Sequence, residues 1–307
     1  MTFMLFATEA CLGLTLISGL ALGLRALMRR GQGLEIRATR RLVCMSLILL
    51  LTAGVLALAV GILGHTVVVR VDALAAQALF DHRAPWLDRL MMLMSALGDG
   101  PERTGATVLL AAFLLWRRRF RWALALGLVM AAAAVLTPVL KTTFHLARPS
   151  LLYSGADAFS FPSGHATSAA ALYLLLTWIV GRSTTGVGRV LFAALALAVV
   201  LLTALSRIYL GAHWLSDVLA GLALGSALGV AGVLVAAGDA RPARDEAWHG
   251  VAILAVLVGV ALVLGPKAYG KAERLYAPYL NRPANRAVDP GHLGGAPSHR
   301  IMAPPGV

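Results

Sequence analysis

The chain has 307 residues, 59% of them apolar and 13% charged, with a formal net charge of +13. A soluble domain carries about a quarter of its residues as charged side chains, so this composition excludes a disordered chain and sets a soluble enzyme aside for a polytopic membrane protein. The basic residues fall between hydrophobic runs rather than on one amphipathic face, which speaks for membrane topology and against nucleic-acid binding.

In chain order, hydrophobic runs occupy about 3–28, 42–64, 90–116, 121–140, 165–181, 188–205, 213–237 and 250–266. Taken as spans of about 20 residues each, they predict eight crossings. The third is interrupted by Asp99, Glu102 and Arg103, and its first half, Leu87 to Leu97, reads as an interfacial helix feeding a shorter span. The first run is not read as a secretory signal, because Arg25, Arg29 and Arg30 follow the apolar stretch instead of preceding it. Cys11 and Cys44 lie inside apolar runs and read as small core residues. The tail from Lys267 onward holds 11 Gly and Pro in 41 residues and reads as disordered.

The connections at 29–41, 117–121, 182–189 and 238–249 hold 13 Lys and Arg, whereas those at 65–103, 141–164 and 206–212 hold seven. The positive-inside rule places the first set in the cytoplasm and the second, with both termini, outside. The expected organisation is an extra span with its cytoplasmic loop (1–41), a six-span core (42–237), an extra span (238–266) and the tail (267–307). The fold class is all-α, a membrane helix bundle.

Polar residues gather where the external loops meet the spans. Lys141, Arg148 and Pro149 close the fourth span, and Pro162-Ser163-Gly164-His165 opens the fifth. Ser206-Arg207 ends the sixth, and His213 to Asp217 opens the seventh. This set suits phosphoryl transfer. A helix start at Ser163 and Gly164 offers backbone N–H groups and a positive dipole end to an anion. Lys141, Arg148 and Arg207 can neutralise phosphate oxygens, the arginines in bidentate fashion. His213 and Asp217 stand at i, i+4 on one helical face, so the carboxylate can orient the ring and leave the other nitrogen as nucleophile. His165 can protonate a leaving oxygen. Asp99 and Glu102 read as solvated loop acids, with a place on the pocket rim as the alternative, Tyr209 and Trp214 as aromatic-belt residues, and Gly221, Gly225 and Gly229 as a packing stripe.

The segments K-x6-R-P at 141–149, P-S-G-H at 162–165 and S-R-x5-H-x3-D at 206–217 resemble the three motifs of the type 2 phosphatidic acid phosphatases, which share an active site with vanadium-dependent haloperoxidases. The resemblance covers the six spans from 42 to 237. It implies that His213 forms a phosphohistidine, that Asp217 orients it, and that His165 protonates the leaving group and later activates water. It implies that Lys141, Arg148, Ser163, Gly164 and Arg207 bind the phosphoryl oxygens, with no metal and no cofactor. The expected function is an integral-membrane lipid phosphatase of the cell membrane, with its active site on the external face. Undecaprenyl pyrophosphate, phosphatidylglycerophosphate and phosphatidic acid are the candidate substrates, and membrane lipids the other expected partners. A lipid phosphotransferase using an acceptor other than water is the alternative. A transporter fits less well, since polar groups at span ends on one side do not describe a midplane site.

Overall fold

The computed structural model describes residues 2–31, 36–150, 159–184, 186–238 and 248–280. Within them run α1 (Thr2–Gly31), α2 (Ile36–Leu63), α3 (Val67–Asp81), α4 (Pro85–Leu97), α5 (Gly100–Trp116), α6 (Phe120–Phe144), α7 (Gly164–Ser183), α8 (Gly186–Tyr209), α9 (Leu215–Ala236) and α10 (Trp248–Leu280). Among the described residues the only β pairing is one bridge, Ala147 to Phe159. The molecule is an all-α membrane bundle. α1, α2 and α6 to α10 are each long and apolar enough to cross a bilayer. α5, at 17 residues, is about 26 Å long at 1.5 Å per residue, and packs on α6 and α10.

The third hydrophobic run is indeed two helices. Gly98 ends α4, Asp99 occupies the N-cap of α5, and Pro101 sits in that helix's first turn, where its missing N–H costs nothing. Two elements depart from expectation. α3 falls in a stretch read as a loop. It is short and carries Arg70, Asp72 and Asp81, too polar to register as a span, yet it buries Asp72, Ala76 and Phe80. The second departure is α10, which continues through Pro266 to Leu280 into the segment read as disordered. Ala268, Ala272 and Tyr276 are buried against Met91, Met92, Ala96 and Tyr209, so packing on α4 and α8 outweighs the hydrogen bond a proline removes. The tail beyond residue 280 lies outside the described residues. Neither cysteine is a core residue: Cys11 is exposed and Cys44 half-buried.

The centre of the bundle is the α7–α9 contact, and the glycine stripe makes it. A Cβ on Gly225 would stand 2.1 Å from the carbonyl oxygen of Thr167, and one on Gly221 2.6 Å from that of Ser163. No side chain fits at either position, so the two helix backbones touch. That contact sets the distance between the start of α7 and the start of α9, which are two walls of the site. Below it, Trp122, Leu126, Val129, Leu175, Leu176 and Ile179 fill the main core.

Candidate active site

The three polar segments converge at one end of the bundle. Lys141, Arg148, Gly164, His165, Arg207 and His213 line one cavity of about 590 Å³. Backbone closure explains the meeting. Trp214 Nε1 donates to the Ala147 carbonyl at 2.9 Å, and Ser150 Oγ donates to the Gly211 carbonyl at 2.7 Å. The Ser163 N–H donates to the Asp217 carbonyl at 2.9 Å. These bonds tie the end of α6, the start of α7 and the start of α9 into one frame.

His213 is 2% exposed and Asp217 fully buried behind it. Arg148 Nη1 donates to the Ala212 carbonyl at 2.6 Å and lies 3.1 Å from His213 Nε2. A guanidinium only donates, so Nε2 is the acceptor and Nδ1 carries the ring hydrogen. Nδ1 faces Asp217 Oδ2 at 3.6 Å, outside hydrogen-bond range. That carboxylate oxygen accepts instead from the Trp214 N–H at 2.9 Å, in the capping box of α9. Burial, followed by the charges of Arg148, Arg207 and Lys141, holds the His213 imidazole well below its ordinary pKa. The ring is therefore neutral, with its Nε2 lone pair directed at the cations.

His165 sits in the first turn of α7, after Ser163 and Gly164. Ser163 is fully buried and its Oγ has no partner among the described residues. Its backbone N–H is already used by the Asp217 carbonyl, so the donors this helix start can offer to an anion are the N–H groups from Gly164 onward. Arg207, 2% exposed, donates to Ser95 Oγ and, at 2.7 Å, to Tyr276 Oη.

Several residues stand elsewhere than the sequence suggests. Asp99 is not a solvated loop acid: its Oδ1 lies 2.9 Å from His165 Nε2. Burial works to raise its pKa, but the His165 hydrogen bond and charge, with Arg207 and Lys271, leave the Asp99 carboxyl below its usual value. Glu102 is 5% exposed, again not solvated. Tyr209 and Trp214 are buried rather than belt residues; the Tyr209 hydroxyl donates to Asp88 Oδ1 at 2.6 Å. Asp72 of α3 accepts from the Ser216 N–H and hydroxyl, both at 2.7 Å, and so anchors the first turn of α9. The charges at 99 to 103 gave the one available signal, since ionisable groups inside an apolar run demand a partner. Nothing in the sequence pointed to Asp72, Ser95 or Tyr276.

Comparisons with known proteins cover the helices that carry these residues. A model of the PAP2 superfamily matches residues 122–240. The chain is 30% identical to phosphatidylglycerophosphatase B of Bacillus subtilis over 146 residues, spanning 47% of this chain and 72% of that one. It is 37% identical to decaprenylphosphoryl-5-phosphoribose phosphatase of Mycobacterium tuberculosis over 155 residues, spanning 47% and 80%. The crystal structure of a transmembrane PAP2-type phosphatidylglycerolphosphate phosphatase from Bacillus subtilis superposes with a TM-score of 0.56 at 29% identity, covering 63% of this chain and 98% of that one. The match takes in the helices that bring Lys141, Gly164, His165, Arg207 and His213 to one cavity, and with that agreement of motif, sequence and fold the chain belongs to the PAP2 superfamily.

Proposed function

We propose that the chain is an integral-membrane lipid phosphatase working through a phosphohistidine, and the arrangement of His213 and His165 in one cation-lined cavity carries this reading. His213 Nε2 attacks phosphorus as the bond from phosphorus to the leaving oxygen breaks, and His165 gives its proton to that oxygen. Lys141, Arg148, Arg207 and the N–H groups at Gly164 hold the three equatorial oxygens, whose charge they stabilise. Arg148, which meets Nε2 at 3.1 Å, turns to the phosphoryl oxygens as they arrive. Asp217 orients the ring; catalytic hydrogen bonds commonly close only in the substrate complex, which accommodates the 3.6 Å separation. His165 then takes a proton from water, whose oxygen attacks phosphorus and releases His213 and inorganic phosphate.

A lipid is the fitting substrate because the polar cavity adjoins an apolar one. Arg103 and Ser168 line both, and the second, of about 220 Å³, is walled by Leu97, Ala106, Leu172, Phe192 and Leu257. A head group in the first and the start of a hydrocarbon chain in the second describes an amphiphile. The names of the relatives point the same way, being phosphatases of lipid or polyprenyl substrates. We place the site at the external face of the cell membrane, since the turn at Arg117 to Arg119 lies at the far end of α6 from Lys141. In this organisation, 42–237 is the phosphatase core with α1 and α10 added.

The test is phosphate release by the purified full-length protein from a panel of lipid phosphates and diphosphates. Release is expected to survive a chelator, since Lys141, Arg148 and Arg207 supply the positive charge, and to be inhibited by orthovanadate. Activity that vanishes in chelator and returns with magnesium would overturn the metal-independent mechanism.

A further inference from the structure

Arg207 belongs to the recurring motifs, but the groups that hold its side chain do not. Its Nη1 donates to Ser95 Oγ on α4 and, at 2.7 Å, to Tyr276 Oη on α10. Both acceptors lie outside residues 122–240, the stretch that matches the family model. α10 is firmly seated at this point. Tyr276 is 1% exposed and packs with Met91, Met92 and Tyr209, and it lines the polar cavity together with Ala272 and Leu275. A phenylalanine would fill the same space, so packing accounts for the ring, and the bond to Arg207 accounts for the hydroxyl.

That bond has a geometric consequence. A guanidinium is planar, and both hydrogens of Nη1 lie in its plane. A single acceptor leaves the group free to swing about one bond, whereas acceptors on two different helices set its plane. Both acceptors are also uncharged. A carboxylate in their place would hold Arg207 as well but would cancel charge that the phosphoryl oxygens need. Hydroxyls orient the cation and leave its charge to the substrate. Asp99, the only carboxylate among the described residues that line the cavity, lies instead 2.9 Å from His165.

We propose that Tyr276 is a positioning residue, its hydroxyl fixing the Arg207 guanidinium in the plane that meets the phosphoryl oxygens at the transition state. This rests on the lipid-phosphatase reading, in which Arg207 holds those oxygens. During in-line transfer the three oxygens pass from a pyramid to a plane. A fixed guanidinium favours one of these arrays, whereas a mobile one follows both, and only a preference for the planar array speeds the reaction. α10, which the family model does not include, thereby completes the site.

The experiment compares the purified full chain with Tyr276→Phe in detergent micelles, on the lipid phosphate that the wild type hydrolyses fastest. It reads kcat, KM and inhibition by two anions: orthovanadate, which adopts the planar array, and inorganic phosphate, which keeps the pyramid. Tyr276→Phe is expected to lower kcat by about tenfold with KM within about twofold, and to weaken vanadate by about tenfold but phosphate by less than about threefold. Ser95→Ala removes the other acceptor of the same nitrogen and is expected to show the same selective loss, which keeps the test open if Tyr276→Phe fails to fold. A kcat within about twofold of the wild type overturns the proposal. So does a lower kcat with both inhibitors weakened equally or neither weakened, the pattern of a residue that only supports the fold. Those outcomes leave the phosphatase reading intact, since they require an active wild type. A wild type that releases no phosphate from any lipid phosphate or diphosphate overturns that reading and the proposal with it.

Discussion

Asp99 Oδ1 lies 2.9 Å from Nε2 of His165, so the site holds two histidine–carboxylate pairs. The residues of the second, His213 and Asp217, are one turn apart on the chain, whereas those of the first come from α5 and α7. Asp99 is the N-cap residue of α5, yet its side chain makes no cap bond there. A capping carboxylate is worth about 1 kcal/mol to its helix, and this one is turned toward His165 instead. With Nε2–H held by Asp99, Nδ1 is the nitrogen left for substrate.

In the proposed mechanism Asp99 is accordingly a positioning residue for the acid, His165. Asp99→Asn keeps the shape and removes the charge that favours a protonated ring. Turnover of a lipid phosphate, whose alkoxide needs the proton, is expected to fall by roughly 10- to 100-fold in kcat with little change in KM. Turnover of nitrophenyl phosphate, whose leaving group needs none, is expected to fall much less. Equal losses on the two substrates would mean that Asp99 only supports the fold.

The three motifs were legible because each is local: Lys141 and Arg148 bracket one helix end, and His213 and Asp217 share one turn. Hydropathy found every long helix for the same reason. What escaped depends on contacts far apart in the chain. Asp99 reaches His165 across 66 residues, and Asp72 reaches Ser216 across 144. The aromatic-belt rule misplaced Tyr209 and Trp214 because an interfacial tyrosine and a buried one hydrogen-bonded to Asp88 have the same sequence signature. The Gly and Pro content of the tail sets the expected end of the last span at residue 266, but the burial of Tyr276 carries α10 past it.

The depressed pKa of His213 fixes the sign of one pH effect. A nucleophile must be unprotonated, so the acid limb of kcat/KM follows the pKa of this ring, and burial with three cations pushes that limb to low pH. Removing one cation makes protonation easier and raises the pKa. Lys141→Gln should therefore move the acid limb upward by roughly half a unit to one unit, besides lowering kcat/KM. A lower rate with an unmoved limb would show that Lys141 acts on the phosphate alone.

Topology can be read from two exposed loops. Arg118 lies in the α5–α6 turn, and His82 in the turn after α3, where the Ala84 N–H meets the Tyr209 hydroxyl near the site. In a chain with Cys11 and Cys44 replaced by serine, a cysteine at position 82 should react with an impermeant thiol reagent applied from outside, and one at 118 should not. The reverse pattern would put the active site on the cytoplasmic face.

The proposed mechanism gives two identical side chains opposite tasks, and a leaving group that needs no proton separates them. In the proposed mechanism His213 forms the new bond to phosphorus, so His213→Ala should abolish turnover of every substrate. In the same mechanism His165 supplies a proton to the departing oxygen, so the cost of His165→Ala should follow the basicity of that oxygen. A lipid alkoxide should lose roughly 10²- to 10⁴-fold. A nitrophenolate departs unaided, so the first-turnover burst of nitrophenol should be largely retained in His165→Ala, while the second step, which needs water deprotonated, slows. The phosphohistidine would then accumulate, and quenching at alkaline pH should trap it on His213. The roles assigned here fail if His165→Ala loses the burst as completely as His213→Ala while both still bind orthovanadate, because that pattern makes His165 indispensable to bond formation itself.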